Sequence, residues 1–264
     1  MRGLRSAALA ASIVVAGAAR AAEDAFDHAA LDGLLRAHVV RGLVDYDAFQ
    51  ASPAFAGYLR SLAAFDPAGL PRSERLAFWI NAYNAYTIQL INAHGERGSI
   101  RNINRGLFGI RGSGPWQEPI AVVGGTAYDL DAIEHEIIRP GFREPRIHFA
   151  LVCAALGCPP LRSEAYTGAR LEEQLEDQAR TFLLLSPAKN RVDVAQRAVH
   201  LSQVFRFRDY EDDFGGSRES VARFIARYYP PGPERELLEG GGWEKWEYTD
   251  YDWGLNRRPD ARGR

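Results

Sequence analysis

The chain has only two cysteines, almost no lysine, and no apolar run long enough to cross a bilayer. Of its 32 basic residues only Lys189 and Lys245 are not arginine, which reads as a compositional bias rather than a phosphate-binding face. The formal net charge of −2 does not favour nucleic acid as a partner. The first apolar stretch, Ala7 to Ala18, is too short for a stable membrane helix, and no later stretch reaches the required length. The chain therefore reads as not integral to a membrane. Arg2 and Arg5 before that stretch, and Ala19-Arg20-Ala21 after it, give the pattern of a cleaved export signal over residues 1–21. Its removal takes three arginines and no acids, leaving a more acidic mature chain that is expected to be periplasmic or secreted.

Internal repeats, low-complexity segments and linkers are absent before about Pro230. Residues 22–229 read as the main domain. Residues 230–264 read as an extension that opens on Pro230-Pro231-Gly232-Pro233 and carries Trp243, Trp246, Tyr248, Tyr251 and Trp253. Leu31, Leu34, Leu35 and Val39 keep helical spacing. Ser52-Pro53 caps and opens a helix to about Phe65, and a long helix runs from Ser73 to about His94. Ile120/Val122 and Tyr128/Leu130 around Gly124-Gly125 predict a hairpin. Asp131 and Glu134 predict a capping box for a short helix that ends at Pro140. Leu171 to Leu183 predicts a helix, Val192/Val194 with Val199/Leu201 a second hairpin, and Ser217 opens a helix through Tyr228. Helices first and hairpins later predict a single α+β domain, with helices packed on a mostly antiparallel sheet.

The densest stretch is Arg146 to Leu161. Arg146 to Cys153 is a near-continuous apolar run with His148 inside it, and it predicts a central buried strand. Alternation along such a strand puts His148 and Cys153 on opposite faces, so a Cys–His dyad needs a bulge, or a return of Cys158 toward His148. Cys153 and Cys158 have two readings, a thiol nucleophile or a disulfide. An oxidising compartment favours the disulfide, whose small loop stabilises by roughly 2 kcal/mol. Asn81 and Asn84 share a second face of the long helix, either to orient a catalytic group or to tie helix to loop backbone. His135 sits at the edge of its helix's apolar stripe, as a candidate base. The order Cys, His200, Asp213 is that of papain-like and transglutaminase-like enzymes. Zinc held by His135, His148, Cys153 and Cys158 is a further reading, with spacings that match no compact finger.

Four blocks carry a resemblance: Ala77-Phe78-Trp79-Ile80-Asn81-Ala82-Tyr83-Asn84-Ala85; Asp131-Ala132-Ile133-Glu134-His135; Arg146 to Cys153 through Cys158-Pro159-Pro160-Leu161; and Leu201-Ser202-Gln203-Val204-Phe205 with Asp213-Phe214. In these, the chain resembles DUF547, a family of exported and plant proteins of unknown function, from about Val44 to about Phe214. The resemblance implies a shared site of Asn81, Asn84, His135, His148, Cys153, Cys158 and Asp213. It leaves out His200. The expectation for function is a thiol-dependent hydrolase or acyl/peptidyl transferase of the cell envelope, acting on a small molecule or peptide without a cofactor. The alternative is a non-catalytic envelope binding module with a Cys153–Cys158 disulfide.

Overall fold

One helix runs through the middle of the protein, and the other elements are arranged on it. The computed structural model describes residues 25–104 and 114–259; the segment read as an export signal lies outside the described residues. The N-terminal helix α1 (Ala29–His38) is followed by a tight β1 (Val39–Val40) and β2 (Leu43–Val44) pair, then α2 (Tyr46–Ala51) and α3 (Pro53–Ala64). Ser52 caps α3 through its side chain, with Pro53 in the first turn, as the sequence predicts. The central helix is α4 (Arg72–Ala93), in which every residue from 76 to 88 is buried. A helix that is apolar all round must be covered all round. Its cover comes from α2, α3 and the elements that follow.

The hairpin β3 (Ala121–Val123) and β4 (Thr126–Tyr128) has the predicted turn, with Gly124 and Gly125 both at positive φ. The next helix, α5 (130–142), differs from its prediction at both ends. Its cap is Asp129, which accepts from the Ala132 N–H, so Asp131 and Glu134 are released from capping. It also runs past Pro140 to Phe142, and a wide π turn at Ile133–Ile138 precedes the proline. The wider turn takes up the break caused by a residue with no N–H to donate.

The predicted central strand at 146–153 is not a strand. Ile147–Ala150 forms one helical turn, α6, and residues 151–153 are extended but unpaired with any strand. The segment is buried between α4 and α7 (Leu171–Leu184), and a short apolar run fits a buried helical turn as well as a core strand. Buried amide side chains replace strand neighbours. Gln178 donates to the Phe149 carbonyl at 2.9 Å, and Asn84 donates to the Ala150 carbonyl and accepts from the Val152 N–H, both at 2.9 Å. Three backbone groups that a sheet would have satisfied are met this way.

A three-stranded sheet closes the far side. β5 (Arg191–Asp193) pairs antiparallel with β6 (Ala198–Leu201), and β6 pairs parallel with β7 (Lys245–Tyr248). Between β6 and β7 come the short α8 (Tyr210–Asp213), then α9 (Arg218–Ala226), which opens on the predicted Ser217 cap, and α10 (Pro233–Gly240). The fold is α+β in one domain, and the sheets are mostly antiparallel. One apolar cluster surrounds α4; a second gathers Phe149, Phe182, Phe205, Phe214 and Phe224. The aromatic tail is built into this body. After β7 it runs back as a strap, and residues 252–256 hydrogen-bond the backbone of Ala154, Leu156 and Gly157. No helix among the described residues is long and apolar enough to cross a membrane.

Candidate functional site

Where the two apolar clusters meet there is a cavity of about 230 Å³. Its floor comes from α5, whose π turn directs Glu134 and His135 inward with Asp131 one turn earlier. Such turns are frequent at functional sites. Its walls are aromatic: Tyr83 of α4, Tyr210 of α8, Trp116, Phe207, and Tyr251 and Trp253 of the strap. His148, Cys153 and Cys158 complete it.

The replacement of the expected strand by a helical turn changes the relation of His148 to Cys153. Strict alternation would separate them, whereas α6 and the extended residues after it bring both to one cavity. His148 is wholly buried. Its Nε2 lies 2.7 Å from Oδ2 of Asp213, and its ring stacks on Tyr210 with centroids 3.8 Å apart. Asp213 is also held by Nε of Arg139 at 2.6 Å. Burial alone would raise the Asp213 carboxyl, but the hydrogen bonds from His148 and Arg139 outweigh it and hold the group down to about 2.

An ionised Asp213 fixes the imidazole tautomer. Nε2–H donates to the carboxylate, so in the neutral ring Nδ1 carries the lone pair. That Nδ1 has no hydrogen-bond partner among the described residues, and it lies 3.8 Å from Oε1 of Glu134. The Tyr210 hydroxyl donates to the same Glu134 oxygen. Burial, and then the nearby Glu134, push the Tyr83, Tyr210 and Tyr251 hydroxyls above the ordinary phenol range, so all three remain donors. His135, half-buried, accepts at Nδ1 from Arg139 at 3.2 Å, and its Nε2 lies 3.9 Å from Asp131.

The two cysteines are joined by a disulfide in the cavity wall. The Tyr251 hydroxyl lies 3.2 Å from the sulfur of Cys153 and 3.1 Å from that of Cys158. With both sulfurs bonded, neither is a free thiolate nucleophile or a zinc ligand in this form. Among the described residues no group of three or more His, Cys, Asp or Glu side chains is placed to hold a metal ion.

The structure therefore brings His135, His148, Asp213, Cys153 and Cys158 to one place. Asn81 and Asn84 lie outside it. Asn81 donates to the Tyr166 carbonyl at 2.7 Å and accepts from the Tyr166 N–H at 2.9 Å, as Asn84 does for residues 150 and 152. Both tie helix to loop backbone, and Asn84 positions the cavity wall from behind. His200 is not part of the cavity; it pairs with Glu247 across β6 and β7 at 3.2 Å. Four contributors escaped the sequence reading. Glu134 reads in the sequence as part of a capping box, Tyr83 sits among apolar residues of the long helix, and Tyr210 and Tyr251 arrive from distant segments with no local pattern to mark them.

No curated protein and no solved structure matches the chain. One family model does, described as a protein of unknown function, DUF547, over residues 67–183. The match covers Asn81, Asn84, Glu134, His135, His148 and both cysteines, and ends before Asp213, Tyr210 and the strap. Residues 67–183 of this chain belong to the DUF547 family.

Proposed function

We propose that the cavity binds a small, largely apolar molecule and that His148, held by Asp213, works on it as an acid–base catalyst in a hydrolase or transferase. One observation carries this reading: a buried imidazole with one nitrogen on an ionised carboxylate and the other unpartnered beside Glu134. A buried ring nitrogen without a partner costs stability, and active sites are where that cost is tolerated. Tyr210 stacks over the imidazole, so substrate entry displaces the Tyr210 ring and puts a reacting group against Nδ1. Asp213 then stabilises the imidazolium that forms. We place this activity outside the cytoplasm, on the support of the N-terminal signal pattern and the closed disulfide.

The test is hydrolysis of a panel of chromogenic esters and amides by the unreduced protein. His148→Ala and Asp213→Asn are expected to lower kcat/KM by about 10²–10⁴-fold, the usual range for a positioned acid or base, with circular dichroism unchanged. A folded His148→Ala variant at the wild-type rate refutes the proposal. If the panel binds but is not turned over, the binding-module reading replaces it.

The thiol-dependent form of the proposal has its own support, since both sulfurs line the same cavity as His148. It requires the bridge to be open. Activity that appears only after mild reduction and is abolished by iodoacetamide selects it; activity indifferent to both removes it.

A further inference from the structure

We infer that the ligand of this cavity carries an ammonium or similar cationic head on a single apolar ring, which names the ligand class of the site proposed above and rests on that reading. Among the described residues the lining contains Asp131 and Glu134 and neither Lys nor Arg. Two guanidinium groups stand against lining residues, each already engaged: Arg139 holds Asp213 at 2.6 Å, and Arg101 lies 5.0 Å from the Trp253 ring.

The second observation is the Nδ1 atom of His148. In the neutral ring it offers a lone pair, and another acceptor, Oε1 of Glu134, lies 3.8 Å from it. No donor among the described residues serves both of these facing acceptors, and a group with several N–H bonds does so at once. The Tyr210 hydroxyl does not supply it in this structure, because it donates to Glu134 and leaves Nδ1 without a partner.

The third observation is the wall. Trp116 and Trp253 face the cavity and lie edge to face, with centroids 6.0 Å apart. Electron-rich ring faces hold cations, tryptophan best of all. Trp253 already does so on the Arg101 guanidinium, 5.0 Å from its ring. The volume sets the size of the body. About 230 Å³ is below the roughly 300–1,000 Å³ of sites for drug-sized ligands, so one ring fits and an extended chain does not.

The experiment uses the whole unreduced protein and three probes of nearly one shape: benzylammonium, benzyl alcohol and benzoate. Calorimetry gives the affinity, and quenching of tryptophan fluorescence reports occupancy through Trp116 and Trp253. Benzylammonium is expected to bind saturably and at least about tenfold more tightly than benzoate. Glu134→Gln is expected to weaken benzylammonium by about tenfold and leave benzyl alcohol unchanged; Asp131→Asn, on a more open side chain, is the second variant. Equal affinity for all three probes, tighter binding of benzoate, or no saturable binding of benzylammonium overturns the inference. The catalytic reading fails separately, through unchanged turnover by His148→Ala, so a cavity that rejects ammonium yet loses activity without His148 sinks only the ligand class.

Discussion

Asn84 should be among the most sensitive positions in the protein, although it touches nothing in the cavity. Its side chain is buried and makes two bonds to the main chain on either side of Leu151, donating to the Ala150 carbonyl and accepting from the Val152 N–H, each at 2.9 Å. In Asn84→Ala both backbone groups stay buried and lose their partner. An unsatisfied buried group costs about 1–3 kcal/mol, so the pair costs about 2–6 kcal/mol. A domain of this size loses roughly 2–4 °C of Tm per kcal/mol, so the midpoint falls on the order of 10 °C. Asn84→Asp is expected to be no milder. A carboxylate still accepts from Val152 but faces the Ala150 carbonyl with a second acceptor and no proton to share. Urea unfolding measures both variants, with the slope checked against wild type to show that the same surface is exposed. A loss below about 1 kcal/mol in Asn84→Ala, with the slope unchanged, refutes the claim that these bonds stand in for a sheet.

Acid should destabilise the protein in two pH windows of different origin. His28 is buried against the Tyr58 hydroxyl, and burial lowers it to about 4, opposed by Asp27. Its folded value lies below the unfolded one, so the contribution is full above about pH 6.5 and is lost as pH falls toward 4, on the order of 3 kcal/mol. Asp213, held down to about 2, adds a second loss between about pH 4 and 2. Unfolding free energy followed against pH should flatten in the first window for His28→Gln and in the second for Asp213→Asn; a steep first window that survives His28→Gln assigns it elsewhere. Gly157 is the third test. A Cβ there would lie 2.8 Å from the Tyr251 ring, so Gly157→Ala must push that ring off the disulfide and reshape the cavity. The expected outcome is weakened probe binding with altered tryptophan emission, and unchanged binding would show that Tyr251 has room to spare.

The physical reason why some of this was legible in the sequence, and some was not, lies in the range of the interactions. Ser52-Pro53, Gly124-Gly125 and Ser217 fix caps and turns through bonds spanning two or three residues, and each stands where the local pattern places it. The blocks holding His135, His148 and the cysteines were visible because polar and reactive side chains are costly in apolar surroundings. Partnership was not visible. His148 meets Asp213 across 65 positions, and the sulfurs meet Tyr251 across more than 90. No spacing rule reaches that far.

The misread segment and the buried amides share one cause. A strand is inferred from an apolar run on the assumption that neighbouring strands will satisfy its backbone. Here Asn84 and Gln178, on two helices that flank the run, carry that task, and the backbone between Phe149 and Val152 is free to turn. That freedom lets α6 and the extended residues after it deliver His148 and Cys153 to the same cavity, which a pleated strand forbids. The polar face of α4 and the apolar run at 146–153 are therefore one device. A buried Asn in a long helix beside a strand-like run with an interior His is a sequence signal for this arrangement, and it distinguishes a site built on an unpaired segment from a site built on a sheet.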